Sequence, residues 1–209
     1  MRSFRHWNLN YFHKRLAYMI YARRNPDKPW ITPDSIKILD SYLKSDDLMI
    51  EFGSGRSTKW FASKVGKLIS IEHNKDWFDK VSDELVASKI ANIEYRHCHA
   101  ANPDKPQDDE PYLDVFNELD DNSMDIIFVD GIFRGECALK AINKVKPGGA
   151  ILIDNVNWFL PSNSISPGAR SLEEGPLDAV WSEYWERTEK WRRIWTTCDL
   201  SDTTFFFKP

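Results

Sequence analysis

The sequence predicts an α/β domain, a doubly wound and mostly parallel sheet that closes on an antiparallel hairpin strand and is preceded by N-terminal helices. Three observations carry this reading. From Asp47 onward, short β-like runs alternate with helix-length stretches, the pattern of parallel strands joined by crossover helices. The runs have few polar breaks, as in Ile126-Ile127-Phe128-Val129, which is expected when helices cover both faces of a sheet. Only the five residues CDLSD separate the last two runs, so these form a hairpin and the sheet ends in an antiparallel strand.

The first element is a helix starting near Asn8, because Leu9, Phe12, Leu16, Met19 and Ile20 recur on one side at helical spacing. That side is expected to meet a core. The opposite side carries Tyr11, Lys14, Tyr18 and Tyr21 and suits a partner, an anionic surface or a second subunit. The stretch NPDKPWITPDS breaks the helix, and Pro33-Asp34 opens a second one reaching about Lys44. Strands follow at LMIEF (48–52), KLISIE (67–72), NIEYRH (92–97), MDIIFVD (124–130) and AILID (150–154). Helices are expected over 57–65, 76–88, 112–119 and 134–145, the last stopped by KPGG at 146–149. After a Pro/Ser/Gly-rich loop at 160–176 come a helix over about 177–190 and the strands RRIWTT (192–197) and TTFFFK (203–208). The chain divides into a helical head, 1–45, and a body, 46–209.

A length of 209 residues is one domain's worth of chain, and 42% hydrophobic with 29% charged residues excludes a disordered or membrane-embedded chain. No apolar run approaches the ~20 residues that span a bilayer, and a cytoplasmic protein is expected. The net charge of −4 conceals a split. Through Lys28 there are seven basic residues, Arg2 and Arg5 among them, against the single acid Asp27, so the head carries +6 and the remainder −10. A solvated charge run is the ordinary explanation, and a steering or partner surface is the functional one. Cys98, Cys137 and Cys198 are too far apart for a CxxC zinc site and do not suggest a disulfide framework.

The strongest chemical signal is EFGSGRST, 51–58, between a strand and a helix. Gly53 and Gly55 permit a tight turn and close approach of a ligand, and Glu51 suits a ligand with positive charge. The third glycine of the dinucleotide fingerprint is replaced by Thr58. Nineteen residues after Gly53, Glu72 ends the second strand, where a carboxylate can accept both hydroxyls of a ribose.

With the fourth-strand segment MDIIFVDG, the block VKPGGAILIDN and the closing hairpin, these motifs resemble the class I S-adenosylmethionine-dependent methyltransferases over about 47–208. The resemblance implies a Rossmann-like, seven-stranded sheet with one antiparallel strand. It implies S-adenosylmethionine as cofactor, bound by Glu51, Phe52, Gly53, Ser54, Gly55, Ser57, Thr58, Glu72, His73, His99, Ala100 and Asp130. His99 stands where many relatives have an acid that reads adenine, so it is either a ligand residue or a surface histidine.

The tips of strands four and five resemble those of catechol-type O-methyltransferases. That resemblance implies a Mg²⁺ or Ca²⁺ held by Asp130, Asp154 and Asn155, with Asp130 and Asp154 as catalytic residues, and Arg134, outside the family's pattern, is a third catalytic candidate that binds an anionic substrate or steadies a nucleophile. Phe133 occupies the position of the family's lysine base, and Arg134 beside it stays protonated. The competing reading has Asp130 facing cofactor or substrate directly while Asp154-Asn155 turns the chain. His73, His97 and His99 are alternative bases. The expected activity is O-methylation of a small molecule, with a homo-oligomer through the N-terminal helices as the assembly reading. Nucleic-acid methylation, which Trp7 and the basic head would serve, is disfavoured by the acidic body, and a non-catalytic binding module is the other alternative. Trp181 and Trp185, spaced i, i+4, should share a buried face, and the 160–176 loop after Trp158 is a candidate lid.

Overall fold

A computed structural model describes residues 9–107 and 110–209, with side chains from Tyr11 onward. The expected helix start at Asn8 and the head residues Arg2, Arg5 and Trp7 lie outside the described residues, as does the side chain of Leu9. Strands β1 (Leu48–Phe52), β2 (Lys67–Glu72), β3 (Ile93–His97), β4 (Met124–Val129), β5 (Val145–Asp154), β6 (Arg192–Thr197) and β7 (Asp202–Phe207) form one sheet in the order β3-β2-β1-β4-β5-β7-β6. The pairs among β1 to β5 are parallel, and β7 runs antiparallel to both neighbours. The short hairpin link forces that one reversal and inserts β7 between β5 and β6. The strand order turns back between β1 and β4, which opens a crevice at the carboxyl ends of those two strands.

Alternation along the strands divides the core into two layers. Ile50, Phe52, Ile71, Ile127, Val129 and Ile153 pack with residues of α5 (Pro111–Asp114), α6 (Arg134–Lys144) and α7 (Ala179–Thr188). Met49, Leu68, Ile126, Phe128, Leu152 and Phe205 pack with residues of α2 (Pro33–Tyr42) and α3 (Arg56–Ala62). A further helix, α4 (Lys75–Ala87), follows β2 and buries Val81 and Leu85. The sheet is therefore covered on both faces, and each fully buried aliphatic side chain contributes about 1.5–3 kcal/mol.

The expected elements are present with shifted edges. β5 begins at Val145, so KPGG lies inside the strand, where a register shift opposite Met124 and Ile126 takes up the extra residues. The 112–119 stretch makes one α turn and then a 3₁₀ turn over Val115–Glu118. Trp181 is buried, but Trp185 is only partly so and lies under the Arg193 guanidinium, 4.3 Å from ring centre to Cζ.

The N-terminal helix α1 (Leu9–Arg24) departs most from expectation. Phe12, Leu16, Met19 and Ile20 are 43–57% exposed, so the side expected to meet a core does not. The tyrosine side docks instead. Lys14 Nζ pairs with Asp199 Oδ2 of the β6–β7 link at 3.2 Å. Tyr18 is half-buried, and its hydroxyl is pushed up to about 12 by that burial and by the nearby Cys198 and Asp154. α2 fills this layer of the core with Ile36 and Leu39. A buried hydroxyl cluster fixes α2 there, Thr32 Oγ1 to Ser35 Oγ at 2.9 Å and Ser35 Oγ to Thr196 Oγ1 at 2.7 Å.

Candidate functional site

The crevice at the switch point is built around two glycines. Gly53 ends β1 with φ +96°, and a Cβ there would stand 2.6 Å from the Cα and N of Gly131. Gly131 follows β4, and a Cβ there would stand 2.1 Å from the Tyr112 hydroxyl. The two loops thus touch backbone to backbone, a contact that only residues without Cβ allow. Main-chain bonds hold the approach, Asp130 N to Phe52 O and Gly53 N to Ile71 O, both 2.9 Å.

Above this floor lies a cavity of about 710 Å³, within the ~300–1,000 Å³ range of small-ligand sites, lined in part by Gly53, Ser54, Glu72, His73, Trp77 and Asp130. Glu72 is its most constrained group. One carboxylate oxygen accepts from Ser54 N at 3.1 Å and Ser54 Oγ at 2.8 Å, and the other from His73 N at 3.0 Å and Asn74 N at 2.8 Å. Four donors for about four lone-pair sites fix the group's position. Ser54 Oγ also reaches Tyr95 Oη at 2.7 Å, an alternative partner should a ligand hydroxyl take its place. His73 Nδ1 stands 3.1 Å from Glu72 Oε1, and His97 Nε2 lies 3.0 Å from His73 O.

Glu51 does not face this cavity. It is fully buried beneath the loop, where Ser57, Thr58 and Ser70 donate their hydroxyls to its carboxyl. Burial pushes its pKa up to about 7 against the lowering effect of those three donors. The expectation that Glu51 meets a positively charged ligand is corrected: together with Ser57 and Thr58 it organises the loop from below. Phe52 likewise belongs to the core, stacked on Phe116 at 4.5 Å. Gly55 gives its N–H to Thr58 Oγ1 at 2.9 Å. His99 is exposed on the loop after β3, Ala100 is buried in the core, and neither lines the cavity. Residues after β2 take that place, Asn74, Asp76 and Trp77, with Lys80. The sequence signal for them was HNKDW directly behind the strand-end acid; Trp77 Nε1 donates to Ser54 O at 2.9 Å and ties α4 to the glycine loop.

At the tips of β4 and β5, Asp130, Arg134, Asp154 and Asn155 converge around the guanidinium. Arg134 Nε donates to Gly131 O at 2.9 Å. Nη1 donates to Asp154 O at 2.6 Å and Asn155 Oδ1 at 3.1 Å, and Nη2 to Asp130 O at 2.8 Å and Asp130 Oδ1 at 2.9 Å. Five N–H groups meet five acceptors, so the side chain has no donor left for a substrate. The expectation that Arg134 offers its donors to a substrate is corrected. Asp130 Oδ2 accepts no hydrogen bond from a described residue, and Asp130 lines the cavity. Burial raises the Asp130 carboxyl and Arg134 opposes it. Asp154 is 3% exposed, accepts from Thr203 Oγ1 at 2.6 Å, and is raised to about 8 by burial and then by Asp130.

These residues do not fit the implied divalent metal. The cation between the two strand tips is the Arg134 guanidinium itself, which occupies both Asp130 Oδ1 and Asn155 Oδ1. Among the described residues no three His, Cys, Asp or Glu side chains cluster as metal ligands. The 160–176 loop is tied down, with Arg170 N on Asn157 O at 3.0 Å, Ser162 N on Arg170 O at 3.0 Å, and Trp158 Nε1 on Pro167 O at 3.1 Å.

No family model and no curated protein matches this chain. Solved structures do. A provisionally assigned caffeoyl-CoA O-methyltransferase from Staphylococcus aureus superposes with a TM-score of 0.58 at 17% identity, over 91% of this chain and 90% of that one. A SAM-dependent methyltransferase from Aquifex aeolicus gives 0.52 at 15% identity, over 88% and 95%. An rRNA methylase from Streptococcus thermophilus gives 0.53 at 11% identity, over 87% and 99%. At such identities the likeness establishes the fold, and acceptors that differ this much share it.

Proposed function

We propose that this chain, which has the fold of the class I S-adenosylmethionine-dependent methyltransferases, is itself such an enzyme and methylates a hydroxyl oxygen of a small molecule without a divalent metal. Glu72 carries the reading. A carboxylate held by four donors at the tip of β2, beside a cavity of about 710 Å³, is matched to a ribose diol. A ribose hydroxyl replaces the Ser54 hydroxyl on Glu72, and Ser54 turns wholly to Tyr95.

When bound, S-adenosylmethionine supplies a methyl group on a cationic sulfur. The protein's part is to align and to take a proton. Gly53 and Gly131, in contact with each other, form the floor on which the donor lies, and Glu72 fixes it at the ribose end. Asp130 would take the proton of an acceptor hydroxyl placed against the donor's methyl group. Arg134 holds Asp130 Oδ1 and with it the orientation of the carboxylate.

Thermal unfolding with S-adenosylhomocysteine tests the reading. A ligand at ~100 times its Kd adds about 2.7 kcal/mol, which for a chain of this length raises Tm by about 5–11 °C. NADH should leave Tm unchanged. The absence of a shift with S-adenosylhomocysteine, or an equal one with NADH, would contradict the assignment.

A further inference from the structure

Helix α1 carries its apolar side outward. Leu16, Met19 and Ile20 recur at helical spacing with Phe12 one turn earlier, and all four are exposed. The opposite side is the one that docks, through Lys14 on Asp199 and the half-buried Tyr18. Large apolar side chains gathered on one helix face differ from the single exposed ones of an ordinary surface. The charge around this face has one sign. At helical spacing Arg15 borders Met19, Arg24 borders Ile20, and Arg23 stands one turn beyond Met19 and Ile20; all three arginines are exposed. Lys14, the one α1 cation in a salt bridge among the described residues, lies on the docked side. No Asp or Glu precedes Asp27 in the sequence, and residues 1–8 add Arg2, Arg5, Phe4 and Trp7.

We infer that this face of α1 docks the protein on an anionic lipid surface, with the helix lying along the headgroup layer; the inference is independent of the methyl-transfer reading. An apolar stripe bordered by cations fits such an interface. The apolar side chains enter the acyl boundary while the arginines lay their stems beside them and reach the phosphates. The remainder of the chain, at −10, is repelled by the same surface, so the charge split turns α1 toward the lipid and the body away from it. A second copy of the chain fits this face less well. A two-fold contact would set Arg15, Arg23 and Arg24 of one α1 against the same residues of another, with no acid on either helix. No described helix is long and apolar enough to cross a membrane, and one short apolar stripe gives peripheral, reversible attachment.

The test is co-sedimentation of the full chain with vesicles of phosphatidylcholine alone and of an equimolar mixture of phosphatidylcholine and phosphatidylglycerol. The anionic vesicles should bind about tenfold or more tightly than the neutral ones, and raising the salt from ~0.1 M to ~0.5 M should remove most of that difference. Replacing both apolar residues, Leu16→Gln with Ile20→Gln, keeps good helix formers and the same charge. It should weaken binding to the anionic vesicles by about tenfold or more. Arg15→Gln, Arg23→Gln and Arg24→Gln should each weaken it by about fivefold. All five positions are exposed, so each variant should keep the far-UV circular dichroism and Tm of the wild type. No binding to anionic vesicles, equal binding to both kinds, or undiminished binding of the Leu16→Gln/Ile20→Gln variant would overturn the inference. So would self-association of the wild type without lipid, read by sedimentation equilibrium, that this double variant abolishes, because the face would then belong to a second copy.

Discussion

Replacing Arg134 by methionine tests whether this arginine is the internal cation of the site. The substitution keeps an apolar stem of similar length and removes five hydrogen bonds, three of them to the main-chain oxygens of Gly131, Asp154 and Asp130. It also leaves Asp130 beside Asp154 with no positive partner. Breaking a buried ion pair from one side costs about 3–5 kcal/mol. The Asp130 side chain is 29% exposed at the cavity wall, against 16% for Arg134, so solvent relieves part of the charge and the low end, about 3 kcal/mol, applies. For a domain of this size that corresponds to a Tm lower by about 6–12 °C. Differential scanning calorimetry at neutral pH measures it. Asp130→Asn in the same chain should recover part of the loss, with a coupling of about 1 kcal/mol or more in the double-mutant cycle. An Arg134→Met protein melting within about 2 °C of the wild type would refute the reasoning.

Glu72→Gln should weaken S-adenosylhomocysteine binding by about 10- to 150-fold, the worth of one charged hydrogen bond of about 1.5–3 kcal/mol; calorimetric titration reads it, and unchanged affinity would remove Glu72 from the site. Gly53→Ala meets both a φ of +96° and a 2.6 Å clash with Gly131, so nucleoside binding should be lost while the far-UV circular dichroism stays native. Asp154 holds a proton in the folded chain that the unfolded chain releases above its ordinary value of 3.8. Its burial therefore makes stability fall as pH rises from about 4 to about 8, and Asp154→Asn should flatten that decline in denaturant titrations; parallel pH profiles would exclude it. EDTA and Mg²⁺ should leave both Tm and nucleoside affinity unchanged, since Arg134 fills the interval between the strand tips.

What could be read from the sequence followed physical periodicity. Strand alternation and crossover spacing located all seven strands, and the five-residue hairpin link located the single reversal. The strand-end position of Glu72 also brought it to the cavity. Periodicity identified α1 as a helix but placed its apolar side against the core, whereas the tyrosine side docks and Phe12, Leu16, Met19 and Ile20 stay exposed. Glu51 was legible as an acid at a strand end and Arg134 as a cation opening the helix after β4, yet their partners come from Ser70, Thr58, Asn155 and several main-chain oxygens. Only the assembled fold decides whether such a group faces ligand or protein. His99 was suggested by position along the chain, whereas Asn74, Asp76 and Trp77 reach the cavity because α4 starts immediately behind β2.

The most direct measurement is a crystal structure of the full chain with S-adenosylhomocysteine. The account predicts the nucleoside in the crevice above the contact between Gly53 and Gly131, with a ribose hydroxyl within hydrogen-bond distance of the Glu72 carboxylate in place of the Ser54 hydroxyl, which moves to Tyr95. A nucleoside bound elsewhere, or in that crevice with its ribose away from Glu72, would contradict it.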